Sequence, residues 1–170
     1  MKALVIYESM FGNTETIARA VAGGMADRFD VTVADVRTMP RAAGMDVVVL
    51  GGPTHVFGMS RPTTREDAER QGGSRDGVAG VGVREWLDTA PRLPGIAATA
   101  FDTKIGRPLA GSAAGKAARR LRKLGCRLIV PPESFVVTGV DGPLAEGEQE
   151  RARRWGEAVA AAAAEAVHPV

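Results

Sequence analysis

A short polar segment near the start of the chain carries the residues best suited to binding an anion. It consists of Ser9, Met10, Phe11, Gly12, Asn13 and Thr14. Ser9, Asn13 and Thr14 supply side-chain donors, and Gly12 lets an anion approach the backbone closely. The start of a helix would add backbone N–H groups and the positive end of a dipole. The segment could therefore hold a phosphate group without any lysine or arginine.

The elements on either side would position these donors. Residues 3–7 form an apolar run typical of a buried strand, and residues 14–28 show the periodicity of an amphipathic helix. A strand thus leads through the polar segment into a helix N-terminus. An ordinary turn in which Asn13 or Thr14 caps the helix explains the segment equally well when it is taken alone.

The rest of the chain alternates strands and helices. Further strands are predicted at residues 29–36, 45–50, 96–101 and 127–137, the last interrupted by two prolines. Helices are predicted at residues 63–70, 83–90, 111–124 and 148–167. This order is typical of an α/β fold with a mostly parallel sheet, here in a single domain over residues 1–170. Three loops, at residues 9–14, 53–59 and 102–107, should meet at the carboxyl ends of the strands, where such folds bind ligands.

Two of these loops resemble the cofactor loops of the flavodoxin family. Ser-x-x-Gly-Asn-Thr after the first strand is similar to the family's phosphate loop, which holds the phosphate of FMN. The second loop resembles the family segment that contacts the flavin ring and contains Pro53, Thr54, His55, Val56, Phe57 and Gly58. The resemblance covers nearly the whole chain. It implies a flavodoxin-like, doubly wound, five-stranded parallel sheet of order 2-1-3-4-5 with helices on both faces.

The resemblance also implies roles for single residues. Phe57 or His55 would stack on the flavin, although a core or lid position suits Phe57 nearly as well, and Gly58 would offer its carbonyl to flavin N5. The third loop would follow the pyrimidine edge with Phe101, Asp102, Thr103 and Lys104. Lys104 would lie near flavin N1 and O2, or else point to solvent or pair with Asp102. Many flavodoxins place a tyrosine at this edge, but the one tyrosine here, Tyr7, falls in the first predicted strand.

Other site chemistries find little support in the sequence. Residues 111–117 resemble a P-loop, but the spacing is one residue short and Ala117 replaces the hydroxyl that would bind Mg²⁺, so we assign them to helix packing. No dinucleotide-binding fingerprint follows the first strand. His55, His168 and the single Cys126 are too few and too scattered for a zinc site, and Cys126 has the setting of a small core residue.

Composition restricts the possible partners and compartments. The chain of 170 residues has a formal net charge of only +2, which favours neither nucleic acid nor a membrane surface as a partner. No apolar run reaches the roughly 18 residues of a membrane span. Glu8 interrupts the apolar start, which we interpret as a strand and not as a signal peptide. A single cysteine fits a reducing compartment, and we expect a cytoplasmic protein.

These observations favour an FMN-binding electron-transfer protein that shuttles electrons between a reductase and an acceptor protein. No catalytic residue of its own is expected. One alternative is an FMN-dependent reductase of quinones or other small molecules that uses NAD(P)H, with the glycine-rich residues 71–82 lining its pocket. Another is a flavin-free module that keeps the fold. One predicted helix face is basic and is better explained as solvated surface than as a docking site for an acidic partner; it carries Lys116, Arg119, Arg120 and Lys123.

Overall fold

A central sheet organises the chain. The structure, a computed structural model, describes residues 1–55, 58–72, 80–106 and 111–167. The strands are β1 (Lys2–Tyr7), β2 (Asp30–Asp35), β3 (Val47–His55), β4 (Gly58–Met59), β5 (Ala97–Ile105), β6 (Arg127–Leu128) and β7 (Glu133–Val137). The helices are α1 (Asn13–Met25), α2 (Pro62–Arg70), α3 (Val83–Thr89), α4 (Ala113–Lys123) and α5 (Glu148–Val167). No helix in these described ranges is long and apolar enough to cross a membrane.

The strand order confirms the predicted doubly wound topology. The sheet runs β2-β1-β3-β5-β6, and these neighbours pair in parallel. β7 also pairs in parallel with β5, so β6 and β7 are two halves of one fifth strand, separated at Pro131 and Pro132. With β5 counted as the fourth strand, this is the order 2-1-3-4-5. The short β4 lies off this path and pairs antiparallel with β3.

Both faces of the sheet are buried, which explains why the central strands are continuously apolar. Val47 and Val49 of β3 pack on the face covered by α1 and α5. Val48 and Leu50, which alternate with them, pack on the face covered by α3 and α4. The helices therefore lie on both faces, as predicted.

Two strands extend further than predicted, and this moves parts of two expected loops into the sheet. β3 was expected to end at Leu50 but continues to His55, and β5 was expected to end at Phe101 but continues to Ile105. The two strands stay paired as far as Pro53 and Thr103, and β7 holds β5 on its other side. Regular backbone pairing on both sides thus replaces the loop that the sequence suggested after Phe101.

The connection from β2 to β3 contains no α-helix. It forms a 3₁₀ turn at Val36–Thr38 and then runs as irregular chain to β3, with Val36 and Ala42 buried against the α3–α4 face. Trp86 of α3 covers it and donates its indole N–H to the carbonyl of Pro40 at 2.9 Å. α1 also ends earlier than predicted, at Met25.

Candidate functional site

A cavity of about 240 Å³ opens at the carboxyl ends of the strands. Its lining comprises Ser9, Met10, Phe11, Asn13, Thr14, Pro53, Thr54, His55, Thr103, Lys104, Ile105, Val137 and Val140. All but the last three belong to the site predicted from the sequence. The three segments therefore meet at the carboxyl ends of the strands, as predicted.

The start of α1 forms one end of this cavity and has no side-chain cap. Its N-cap is Gly12, whose φ of 89° is a left-handed conformation that favours glycine. Asn13 donates its side-chain amide to the carbonyl of Asp141 at 3.1 Å, and Thr14 shares a 2.7 Å hydrogen bond with Thr103. Neither side chain caps the helix, so the capping interpretation is wrong. The first backbone N–H groups have no intrahelical partner, and no side chain among the described residues caps them, so they remain for a ligand.

Distant parts of the chain fix the conformation of residues 9–14, which we call the cradle. Ser9 accepts a hydrogen bond from the backbone N–H of Gly12 at 3.1 Å and closes the turn locally. The buried Thr14–Thr103 hydrogen bond fixes the first turn of α1 to β5, and the bond from Asn13 fixes it to the loop after β7. Contacts within the protein thus arrange the donors.

A hairpin made by β3 and β4 forms the next side of the cavity. His55 pairs with Gly58, and Thr54 with Met59, across residues 56–57. Val56 and Phe57 lie outside the described residues, so the predicted stacking by Phe57 stays a prediction. Gly58 does not line the cavity; a Cβ built on it would lie 2.6 Å from Nζ of Lys116. Its carbonyl role likewise stays a prediction.

His55 contributes a neutral ring to the wall. Burial, reinforced by the positive charge of Arg65, lowers the pKa of the imidazole below its ordinary value. Nε2 of His55 is buried and has no hydrogen-bond partner within the described ranges. The ring is therefore uncharged at neutral pH, and its Nε2 remains available for a hydrogen bond beside the cavity.

Phe101 lies in the core and not in the cavity. It is 1% exposed, and its ring meets those of Phe135 and Trp155 edge-to-face at centroid distances of 6.1 and 6.2 Å. Gly51 on β3 allows this close packing, because a Cβ there would lie 2.0 Å from the tip of the Phe101 ring. Phe101 thus supports the sheet beneath the site and does not reach its lining.

Asp102 is fully buried and connects the hairpin to α4. Its Oδ2 accepts hydrogen bonds from Thr54 Oγ1 at 3.0 Å, Ser112 Oγ at 2.8 Å and the backbone N–H of Ala114 at 3.0 Å. A carboxylate at a helix N-terminus is well placed electrostatically. Asp102 therefore positions the cavity wall through Thr54 instead of lining the cavity itself, and it makes no ion pair with Lys104 among the described residues.

A buried ionic network lies next to the cavity, and it was not predicted from the sequence. Glu8 is 4% exposed and accepts hydrogen bonds from Ser60 Oγ and, at 2.8 Å, from the backbone N–H of Val83. Arg65 donates to Ser60 Oγ at 2.8 Å and to Glu85 at 3.0 Å. Burial raises the pKa of Glu8, opposed by these hydrogen bonds and by the charge of Arg65. The network joins Glu8, next to the cradle, to Ser60, next to β4.

Three apolar residues complete the wall; Ile105 lies in the predicted third loop but was not named as a site residue, and Val137 and Val140 were missed. Val137 ends β7, Val140 follows it and is 61% exposed at the rim, and Ile105 ends β5. The rule that gathered the first three loops applies equally to the loop after the fifth strand, residues 138–142. Extending it would have identified Val140 in this loop and, next to it, Val137 at the end of β7.

The remaining motifs do not build a second site. Ser112 caps α4 by accepting the N–H of Gly115 at 3.0 Å, and the alanines of the P-loop-like segment are buried, which confirms helix packing. Cys126 is buried, and burial raises the pKa of its thiol, as expected for a core cysteine. His168 lies outside the described residues. Within the described ranges, no group of three or more His, Cys, Asp or Glu side chains could hold a metal ion.

The chemistry of the lining fits FMN. Uncharged donors and free backbone N–H groups at one end suit a phosphate, while Ile105, Val137 and Val140 offer an apolar surface to a ring system. Lys104 is half-buried in the same lining. The cavity thus combines an anion site with an apolar slot.

Comparisons with known proteins agree with the fold of the chain. The structure resembles a flavodoxin from the domain Archaea, with a TM-score of 0.69 at 19% identity, covering 99% of this chain and 100% of that one. It also resembles flavodoxin 1 from Bacillus cereus (TM-score 0.66, 21% identity, 100% and 99% covered) and two-electron reduced flavodoxin from Megasphaera elsdenii (0.62, 21%, 94% and 99%). Nothing matched among proteins with curated descriptions. The flavodoxin family model matches residues 5–155, and the chain therefore belongs to the flavodoxin family.

Proposed function

We propose that this protein binds FMN non-covalently in the cavity and carries electrons one at a time between a reductase and an acceptor protein. The observation that carries the proposal is the uncapped N-terminus of α1, which opens on a cavity lined by neutral donors and an apolar wall. Flavodoxins bind FMN, and the bound flavin would supply the redox chemistry while the protein supplies binding and electrostatics. A cytoplasmic location is part of this proposal.

Each part of the lining has a task in this proposal. The N–H groups at the start of α1, with Ser9, Asn13 and Thr14, bind the phosphate. Val137 and Val140 would offer the ring system an apolar surface. The hydrogen bonds of Glu8 connect the end of β1 with Ser60 and Val83. They therefore hold the start of α1 and the hairpin at a fixed separation. No side chain acts as a nucleophile or general base, because electron transfer needs neither.

The proposal is tested by comparing FMN with riboflavin, which lacks the phosphate. We expect FMN to bind at least about ten-fold more tightly, measured by quenching of flavin fluorescence. Ser9→Asp keeps an oxygen that can accept the Gly12 N–H but places a negative charge in the cradle. It should weaken FMN binding by about ten-fold or more and change riboflavin binding little.

Ser9→Asn is the matched control for this experiment, since it has nearly the same shape without the charge. It should retain most of the preference for FMN. If Ser9→Asp weakened both ligands equally, or if the two variants behaved alike, the phosphate would not lie at the start of α1. If the unaltered protein bound neither ligand, the flavin-free alternative would replace this proposal.

The reductase alternative is separated from the carrier by steady-state kinetics. Of the glycine-rich residues that would line its pocket, residues 73–79 lie outside the described residues. The carrier should show little turnover of NAD(P)H with a soluble quinone, and should accept electrons from a protein reductase. Sustained quinone reduction without a protein reductase would favour the enzyme.

A further inference from the structure

α4 concentrates positive charge on its solvent side. It contains Lys116, Arg119, Arg120, Arg122 and Lys123 and no aspartate or glutamate. Arg120 forms an ion pair with Asp88 of α3. The other four are exposed, and none has an ion-pair partner among the described residues.

On α5, the other long surface helix, most arginines form ion pairs. On α5, Arg151 pairs with Glu148, and Arg153 pairs with both Glu150 and Glu157. These pairs neutralise much of that helix surface locally. Among the described residues, α4 thus carries four unpaired cations against one on α5, Arg154, and this concentration does not reflect a basic protein as a whole, since the net charge is only +2.

Helix stability does not account for the charge on α4. Arg119 lies three residues after Lys116 and four before Lys123, spacings at which like charges repel on a helix surface. A cation in the last turn, such as Lys123, gains from the helix dipole, but Lys116 lies close to the N-terminus, where the dipole disfavours it. Repulsion between these like charges offsets what the cations of the last turn gain, so helix stability alone does not explain the charge on α4.

The basic face begins at the edge of the cofactor cavity. Thr54, which lines the cavity, accepts a hydrogen bond from the first backbone N–H of α4, that of Ala113, at 3.0 Å. One turn further, the side chain of Lys116 lies against Gly58 of the hairpin. A partner bound along α4 would therefore lie beside the hairpin wall, a short path from the bound flavin.

We propose that the face formed by Lys116, Arg119 and Lys123 is the docking surface for a redox partner whose own docking surface is acidic. This inference rests on the proposed function, because it assigns the partner of the same site. Complementary charges of this kind guide association and orient short-lived complexes, and salt weakens them. The position beside the hairpin favours a protein partner over nucleic acid or a lipid surface, neither of which exchanges electrons with a flavin.

Charge reversal at Arg119 and Lys123 tests the proposal. The variant Arg119→Glu/Lys123→Glu leaves Lys116 in place, because its side chain lies against Gly58. The matched control, Arg28→Glu/Arg154→Glu, changes the net charge equally through exposed residues after α1 and on α5. Both proteins should keep their circular dichroism spectra and their FMN affinity.

The first measurement is binding, with oxidised cytochrome b5 as an acidic probe and oxidised cytochrome c as a basic one. At about 10 mM salt the FMN-loaded protein should bind the acidic probe more tightly, and about 200 mM salt should weaken this binding by about ten-fold. Arg119→Glu/Lys123→Glu should weaken it by a similar factor, and the control by less than about two-fold. Equal effects of the two variants, or tighter binding of cytochrome c, would overturn the docking surface.

The second measurement separates docking from electron transfer. The reduced protein gives one electron to each cytochrome haem, and stopped-flow absorbance follows the rate. Binding of cytochrome b5 through α4 without electron transfer would support docking and contradict the proposed carrier function. If the Arg119→Glu/Lys123→Glu variant transferred electrons as fast as the unaltered protein, the carrier function would stand and the docking surface would be overturned.

A third arm covers the other anionic partners. A short DNA duplex and vesicles of mixed phosphatidylserine and phosphatidylcholine are offered at the same salt. We expect weaker binding to both than to cytochrome b5. Tighter binding to either one, lost on Arg119→Glu/Lys123→Glu, would overturn an acidic protein as the partner.

Discussion

Lys104 is the one side chain with a full charge among the described residues that line the cavity. The other lining residues are neutral, including His55, whose pKa is lowered by burial and by Arg65. Lys104 is half-buried and does not pair with Asp102, whose Oδ2 is occupied by other donors. Its charge is thus available to a ligand in the cavity.

We expect Lys104→Gln to lower the potential at which FMN accepts its second electron. Full reduction adds negative charge to the flavin, and a nearby ammonium favours that charge, on the order of 50 mV after solvent screening. Potentiometric titration at fixed pH measures both one-electron potentials, and the first should move much less. Lys123→Gln, away from the cavity lining, is the control. Two unchanged potentials would show that Lys104 does not face the flavin.

Some single residues of the site could be predicted from the sequence and others could not. Ser9 and Thr14 follow from local spacing between a strand and a helix. Phe101 was misplaced because the sequence did not show that β5 continues to Ile105, and alternation along that strand turns Phe101 into the core. Glu8 and Arg65 each look like surface charges, and only the fold brings them together.

The contact between the first and last helices depends on two glycines. A Cβ on Gly24 of α1 would lie 2.0 Å from the carbonyl oxygen of Arg153, and one on Gly156 of α5 would lie 2.2 Å from that of Val21. The two backbones therefore approach more closely than any side chain would allow. Gly23, the neighbour of Gly24, is exposed and has nothing within 4 Å of its Cβ position.

We expect alanine to have opposite effects at these adjacent positions. Gly24→Ala should lower the free energy of unfolding by about 2–3 kcal/mol, because the backbone of α5 must move away. Gly23→Ala should raise it by about 0.5–1 kcal/mol, because alanine is the better helix former and meets no obstacle. Urea unfolding of both variants measures the difference. A loss of stability at both positions, or at neither, would contradict the close approach of α1 and α5.

The elements themselves were largely predictable, and the errors have a common cause. α5 has the predicted bounds, and the split of the fifth strand follows from Pro131 and Pro132. The predicted ends of β3 and β5 were wrong because polar residues such as Thr54 and Asp102 are typical of loops. They stay in the strands because pairing and the hydrogen bonds of Asp102 satisfy them, and neither is visible in a local sequence window.

At the scale of the whole molecule, the cavity exists only in the folded chain. Its walls come from the ends of β1, β3, β5 and β7, which are far apart in sequence. An unfolded chain offers FMN none of this arrangement. Binding must therefore stabilise the folded state through mass action.

We expect FMN to raise the melting temperature, and its removal to lower it. At about 100 times the dissociation constant, the stabilisation is about 2.7 kcal/mol, which corresponds to roughly 5–10 °C for a chain of this size. Differential scanning calorimetry of protein with and without added FMN measures it. Ser9→Asp should show a much smaller rise than Ser9→Asn at the same FMN concentration. An equal rise in both variants would place the bound flavin elsewhere.

The packing of α1 against α5 also affects how the protein is made. α1 is synthesised early, whereas its partner α5 is the last described helix. More than a hundred residues are added between the two, and α1 has no α5 to pack against during that time. At about 5–20 residues per second, that delay is roughly 6–25 s. During this time the apolar side of α1 and the Phe101 ring lack the cover of α5 and Trp155. The nascent chain, more than the finished protein, is therefore the species with exposed apolar surface that can aggregate.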